Sequence, residues 1–157
     1  MRWGPLVAWG AVAFAIAGLF SFLSRVDLNA VRPPGHAEEY IRTKFTRVII
    51  RRRSARENIP FPPPDYQIST SIAAGKNLYT ADCASCHGPN ETDLTPAGRG
   101  MSPRAVALNA AILRAYSDRE LFSIIGEGVR FTGMPGFAGA ETNDQIWNLV
   151  DFLRSLP

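Results

Sequence analysis

Both cysteines of the 157-residue chain fall in one pentapeptide, Cys83-Ala-Ser-Cys86-His87. On a turn of helix, positions i and i+3 project to the same side, so two thiols are presented together to one partner. An imidazole follows at once. That order suits covalent haem attachment, in which each thiol adds to a vinyl group of the porphyrin and His87 stands beside the ring, able to take an axial position on iron.

Two other chemistries use the same residue types. A structural zinc site wants four strong ligands, but the chain has no third cysteine. Its other histidine, His36, lies beyond a proline run and reads as a solvated linker residue. A thiol–disulfide exchange pair belongs in a βαβ context, whereas the sequence around Cys83 and Cys86 has helical patterning. No longer disulfide framework is implied.

The elements that must position this motif occupy the second half of the chain. Three helical patterns stand out: Ile72 to Asp82, with Gly75, Leu78 and Tyr79 near one face; Asp118 to Gly126, with Asp118 as cap; and Asn143 to Leu156, with Ile146, Trp147, Val150 and Leu153 at helical spacing. No alternating strand pattern lies between them, so the expected class is all-α. No repeat of 20 to 50 residues is present.

The first half is organised differently. Residues 3–23 carry no charge over 21 positions, and at about 1.5 Å per helical residue such a run spans roughly 31 Å, enough to cross a hydrocarbon core. It reads as a transmembrane anchor, residues 1–24. The rival reading is a secretory signal, with Arg2 as the basic start and Ala15-Ile16-Ala17 as a cleavage pattern, but the apolar run continues past that site. Pro33, Pro34 and Gly35 then end any continuation of the helix.

Residues 25–70 form a basic segment and a spacer. Ala37, Ile41, Phe45, Val48 and Ile49 share one helical arc, with Arg42, Lys44, Arg47 and Arg51 mostly off it. The expectation is an amphipathic helix docked on a membrane surface or a partner subunit, with a short strand or a solvated basic linker as alternatives. The run Pro-Phe-Pro-Pro-Pro, residues 60–64, favours an extended spacer, which puts a domain boundary near residue 70. Residues 24–70 hold nine Arg or Lys against five Asp or Glu, whereas residues 71–157 hold seven against nine. Basic character is therefore local to the middle segment, which argues against a nucleic-acid partner for the protein as a whole.

Residues 71–157 resemble the class I cytochrome c family, in particular the monohaem domains of membrane-bound oxidase and dehydrogenase cytochrome c subunits. Four stretches in order carry the resemblance: AAGKNLYTADCASCHG, YSDRELFSIIGEGV, GMPGF and IWNLVDFLRSL. It implies one haem c held by Cys83 and Cys86, with His87 and Met134 as axial ligands, Met101 being the competing sulfur. It also implies that Gly75 and Tyr79 pack against Trp147 where the first and last helices of the domain cross. The loop from Leu94 to Asn109 would wrap the histidine side of the haem, with Pro96, Pro103 or Leu108 lining it, and leaves the residue supporting His87 open.

A His/Met-ligated haem has no vacant position for substrate, so the expected role is single-electron transfer without catalysis, as a subunit of or shuttle for a membrane respiratory, photosynthetic or dehydrogenase complex. The alternative is sensing of, or reaction with, small gases or peroxide at a labile sixth position. The expected location is the bacterial inner membrane, with residues 3–23 in the bilayer and the haem domain on the periplasmic face.

Overall fold

The computed structural model describes residues 4–25, 29, 34–89 and 93–157, with side chains from Trp9 onward. The expectations placed on Arg2 and Pro33 lie outside the described residues. In chain order the elements are α1 (Gly4–Leu23), α2 (His36–Ser54), α3 (Ser69–Leu78), a π-helical turn (Tyr79–Cys83), α4 (Ala84–His87), α5 (Pro96–Gly100), α6 (Ala110–Leu113), α7 (Asp118–Glu127) and α8 (Asn143–Ser155). Among the described residues there is no strand.

The two long helices of the C-terminal half start on reciprocal caps. Ser117 accepts from the Glu120 N–H at 3.3 Å, and Glu120 accepts from the Ser117 N–H at 2.7 Å. Thr142 and Gln145 repeat the arrangement at the start of α8. Each box satisfies two N–H groups that a helix start otherwise leaves open. The cap of α7 is thus Ser117, one residue before the expected Asp118. The Asp118 carboxylate, free of the cap, accepts instead from Tyr66 Oη at 3.0 Å and from Arg154 Nε at 2.7 Å. Arg154 also donates to the carbonyls of Leu113 and Tyr116, tying α8 to the end of α6 and the approach to α7.

Helices α3 and α8 cross in contact. A Cβ on Gly75 would lie 1.9 Å from the Asn148 carbonyl oxygen, so only glycine lets the two backbones come this close. Tyr79 packs its ring 5.2 Å from that of Phe152. Trp147 turns elsewhere, 4.9 Å from Phe122 and 5.5 Å edge-on to Tyr66. The residues that Gly75 meets at the crossing are thus Asn148 and Phe152, while Tyr79 and Trp147 share one core cluster. The reason is phase: residues 148 and 152 lie one turn apart on the α3 side of α8, whereas Trp147 points toward α7. Ile146 and Val150 are fully buried behind it, each removal from water stabilising by about 1.5–3 kcal/mol.

Helix α2 is helical over the expected segment, and one side of it packs on the C-terminal domain. Ile50 and Ser54 are buried against the C-terminal domain. Arg51 pairs with Glu120 at 3.3 Å, and Arg47 stacks over the Tyr116 ring. Arg119 reaches back to the carbonyls of Glu57 and Ile59. The proline run leaves Phe61 bare, yet Ile59 on one side of it joins the core, and on the other the Gln67 N–H donates to Asp151 at 2.7 Å. The stretch from Arg47 to Gln67 thus lies on the domain rather than standing off it. The apolar arc of Ile41, Phe45, Val48 and Ile49 is on the other side of α2 and exposed. The contact with α7 is made largely by arginines, which find carbonyl and carboxylate acceptors there, so apolar spacing gives no signal for it.

The apolar N-terminal stretch forms helix α1, and its described side chains Trp9, Phe14, Phe20 and Phe22 are exposed. Among the described residues no helix is long and apolar enough to cross a membrane.

Candidate functional site

The cysteine-histidine motif sits where α3 changes pitch. The π-helical turn Tyr79–Cys83 inserts a wider loop of backbone before α4, so that Cys83 closes one turn and Cys86 and His87 fall on the next. Such turns inside helices are frequent at functional sites. Tyr79 holds the end of the motif by donating from Oη to the Gly88 carbonyl at 2.8 Å. Thr95 holds its middle: Oγ1 donates to the Ser85 carbonyl at 2.6 Å and in turn accepts from the Gly98 N–H, capping α5.

Both thiols are free and half-buried. Burial, reinforced by the nearby Asp82, pushes the Cys83 thiol up to about 12. A thiol–disulfide exchange site needs the reverse shift, toward thiolate at neutral pH, so Cys83 is in the wrong environment for that chemistry. A neutral thiol is what addition across a carbon–carbon double bond consumes. Among the described residues no group of three or more His, Cys, Asp or Glu side chains is placed to hold a metal ion.

His87 is oriented from behind. Its Nδ1 lies 2.8 Å from the Val106 carbonyl oxygen. A carbonyl only accepts, so Nδ1 carries the proton and Nε2 keeps its lone pair. Burial lowers the pKa of His87 below its ordinary value, against the opposing effect of the Val106 carbonyl, which favours the neutral, ligating form. The residues therefore fit a covalently held haem: two free thiols and a basic imidazole nitrogen on successive turns. The loop from Leu94 to Asn109 does reach the histidine, as expected, and Leu108 packs against the core. The group supporting His87 is none of Pro96, Pro103 and Leu108 but the main chain of Val106. No residue type announces a backbone acceptor, so the sequence carries no signal for it.

Met134 lies in the turn between α7 and α8, half-buried against the same core cluster that Cys83 borders. Its backbone is held at both ends, the N–H donating to Thr132 Oγ1 at 3.1 Å and the carbonyl accepting from the Val129 N–H at 3.3 Å. Met101 is brought to the neighbouring residue: its Sδ lies 2.6 Å from where a Gly133 Cβ would stand. Met101 thus reaches the turn that bears Met134. His36 begins α2 and is exposed, in keeping with a linker histidine.

No curated protein shows significant similarity to the chain. Among solved structures, a reducing HAO-like protein complex of Kuenenia stuttgartiensis is similar in fold, with a TM-score of 0.53, 20% identity, and coverage of 63% of this chain and 48% of that one. The chain thus spans about half the length of that protein. Cytochrome cL from the marine methylotrophic bacterium Methylophaga aminisulfidivorans aligns with a TM-score of 0.47 at 19% identity, over 79% of this chain and 67% of that one. Residues 70–153, more than half of the length, match the family described as cytochrome c oxidase, cbb3-type, subunit III, and the chain belongs to that family of c-type cytochromes, with haem c as its cofactor.

Proposed function

We propose that this protein is a membrane-anchored monohaem carrier that passes single electrons to or from a membrane-bound redox complex, with Cys83 and Cys86 as thioether attachment points and His87 and Met134 as axial ligands. The observation that carries the reading is the 2.8 Å contact from His87 Nδ1 to the Val106 carbonyl, which leaves Nε2 as the basic nitrogen directly after the second of the two thiols. Haem c, once attached, supplies a one-electron couple whose potential depends on its axial ligands and burial. The chain attaches it, orients His87, and holds Met134 by main-chain bonds.

The competing reading, a sixth position open to gas or peroxide, requires Met134 to leave. Two hydrogen bonds fix the Met134 backbone, so the position is vacated only by rotation of the side chain. Anchoring rests on the uncharged run of residues 3–23 and on the exposed aromatic side chains of α1, which in water would present an apolar surface with nothing to cover it. With that anchor, the haem domain stands outside the bacterial cytoplasmic membrane, in the periplasm. The complex that this protein serves is a respiratory, photosynthetic or dehydrogenase assembly.

The test is a redox titration of the full-length holoprotein followed by its visible spectrum, together with fractionation of native membranes. A reversible one-electron transition, a low-spin spectrum in both states and sedimentation with membranes are expected. A high-spin spectrum in the reduced state that responds to carbon monoxide, or release of the protein by a salt wash, overturns the corresponding part of the reading.

A further inference from the structure

Helix α2 lies outside the matched residues 70–153, yet one of its side chains reaches the backbone around Met134. Arg53, in the last turn of α2, spreads its guanidinium over the C-terminal end of α7. Nε donates to Ser123 Oγ at 2.9 Å, Nη2 to the Ser123 carbonyl at 2.8 Å and Nη1 to the Gly128 carbonyl at 3.1 Å. The Glu57 carboxylate stands 3.4 Å from Nε and balances the charge. Two of the acceptors are main-chain carbonyls, one inside α7 and one at the residue that follows it.

Gly128 is the point at which this grip meets the Met134 turn. Its φ is +67°, a conformation that favours glycine, and a Cβ there would lie 2.5 Å from the Pro135 carbonyl carbon and 2.6 Å from the Gly136 nitrogen. The backbone of Gly128 is thus pressed against the Pro135–Gly136 peptide, one residue past Met134. The next residue, Val129, donates its N–H to the Met134 carbonyl. On the far side, the N–H groups of Phe137 and Ala138 donate to the carbonyls of Ile125 and Gly126, each at 3.0 Å. The turn bearing Met134 is therefore folded onto residues 125–128, and the outward carbonyl of that support is fixed by Arg53.

We infer that Arg53 is a positioning residue for the Met134 sulfur: by fixing the Ser123 and Gly128 carbonyls it sets how tightly Met134 is held in its ligating place. The inference rests on the reading of Met134 as axial ligand. Groups that orient a ligand without touching the metal alter metal-site properties through it. Lysine at position 53 would keep the charge but lose the planar fork that serves three acceptors at once.

The experiment uses the full-length oxidised holoprotein and added imidazole, which competes with a methionine sulfur for iron. Arg53→Gln is expected to raise the affinity for imidazole about tenfold, the factor that corresponds to loss of about 1.4 kcal/mol, at the low end for hydrogen bonds to a charged group. It also weakens the far-red absorption of the Met-ligated haem. Arg53→Lys and Ser123→Ala give smaller increases. Arg52→Gln, which removes the same charge one residue away, leaves both readouts at wild type. An equal response from Arg52→Gln overturns the inference in favour of general electrostatics. A fall in melting temperature for Arg53→Gln with unchanged imidazole affinity reduces Arg53 to a fastener for α2 and overturns it as well. Should Arg53→Gln fail to accumulate with haem, Arg53→Lys and Ser123→Ala decide, wild-type affinity in both overturning the inference. Met134→Ala separates the two readings: if it leaves the absorption and the imidazole affinity unchanged, the ligand assignment has failed rather than the role of Arg53.

Discussion

His87 Nδ1 lies 2.8 Å from the main-chain oxygen of Val106, so the imidazole is oriented by backbone and not by a side chain. The Val106 side chain itself is half-exposed. Val106→Ala should therefore leave the reduction potential and the visible spectrum at wild type, at a stability cost below about 1 kcal/mol for a partly exposed truncation. Redox titration and thermal melting check this together. A clear shift in potential would mean that the side chain, rather than the carbonyl, orients the histidine.

Cys83 and Cys86 occupy successive turns as free thiols. Replacing either with alanine should impair stable covalent haem incorporation, and replacing both should abolish it. A haem stain on a denaturing gel gives the answer directly. Undiminished staining in the double variant would sink the attachment assignment.

The Met101 sulfur lies closer to the turn bearing Met134 than their separation in sequence suggests. Met101 Sδ abuts Gly133, the residue before Met134. Met134→Ala should retain covalent haem while lowering the potential and opening the sixth position to added imidazole, because a soft thioether favours reduced iron. Met101→Ala alone should change neither. If Met134→Ala keeps a Met-type spectrum that only the Met101→Ala, Met134→Ala double variant loses, Met101 has stepped in. If Met101→Ala alone alters the spectrum while Met134→Ala does not, the ligand is the other sulfur.

What can be read from sequence, and what cannot, divides along physical lines. The Cys83, Cys86 and His87 motif and the helices from Asp118 and Asn143 are legible because side-chain identity and apolar period are written residue by residue. Val106 is not, because the group that matters is common to every residue. Ser123 reads as a small polar interruption in an apolar helix, and its acceptor role for Arg53 exists only once a residue 70 positions earlier is brought beside it. The three arginines 51–53 look alike in sequence as a basic run, yet Arg51 meets Glu120, Arg53 caps α7 and Arg52 remains exposed. Changing all three together, which the basic run invites, would disturb the domain itself.

Gly75 supplies a test of the helix crossing. A methyl group there would meet the Asn148 main chain at 1.9 Å and Phe152 Cβ at 2.8 Å, neither of which can swing aside as a flexible side chain would. Gly75→Ala should destabilise the domain by about 1–3 kcal/mol, the range for overpacking, in spite of the better helix propensity of alanine. Denaturant unfolding of the holoprotein measures it. A gain in stability would show that α3 and α8 can separate without loss.

The opposite faces of α2 give the last test. Ile50 is 4% exposed, whereas Phe45 is 67% and Ile49 47% exposed. If α2 docks on the cytochrome domain through the side bearing Ile50, Ile50→Ser should cost about 2–5 kcal/mol, the range for deleting a buried aliphatic side chain. Phe45→Ser and Ile49→Ser together should stay within about 0.5 kcal/mol of wild type, as surface changes do. The haem spectrum should be the same in the Phe45 and Ile49 variant, since both side chains are exposed and the hydrogen bonds to Ser123 and Gly128 come from Arg53. Ile50→Ser, which loosens that end of the helix, should raise imidazole affinity in the same direction as Arg53→Gln. Equal destabilisation from both substitutions would mean that the contact with the domain is not confined to the side bearing Ile50. No effect from Ile50→Ser would mean that α2 contributes nothing to holding the domain.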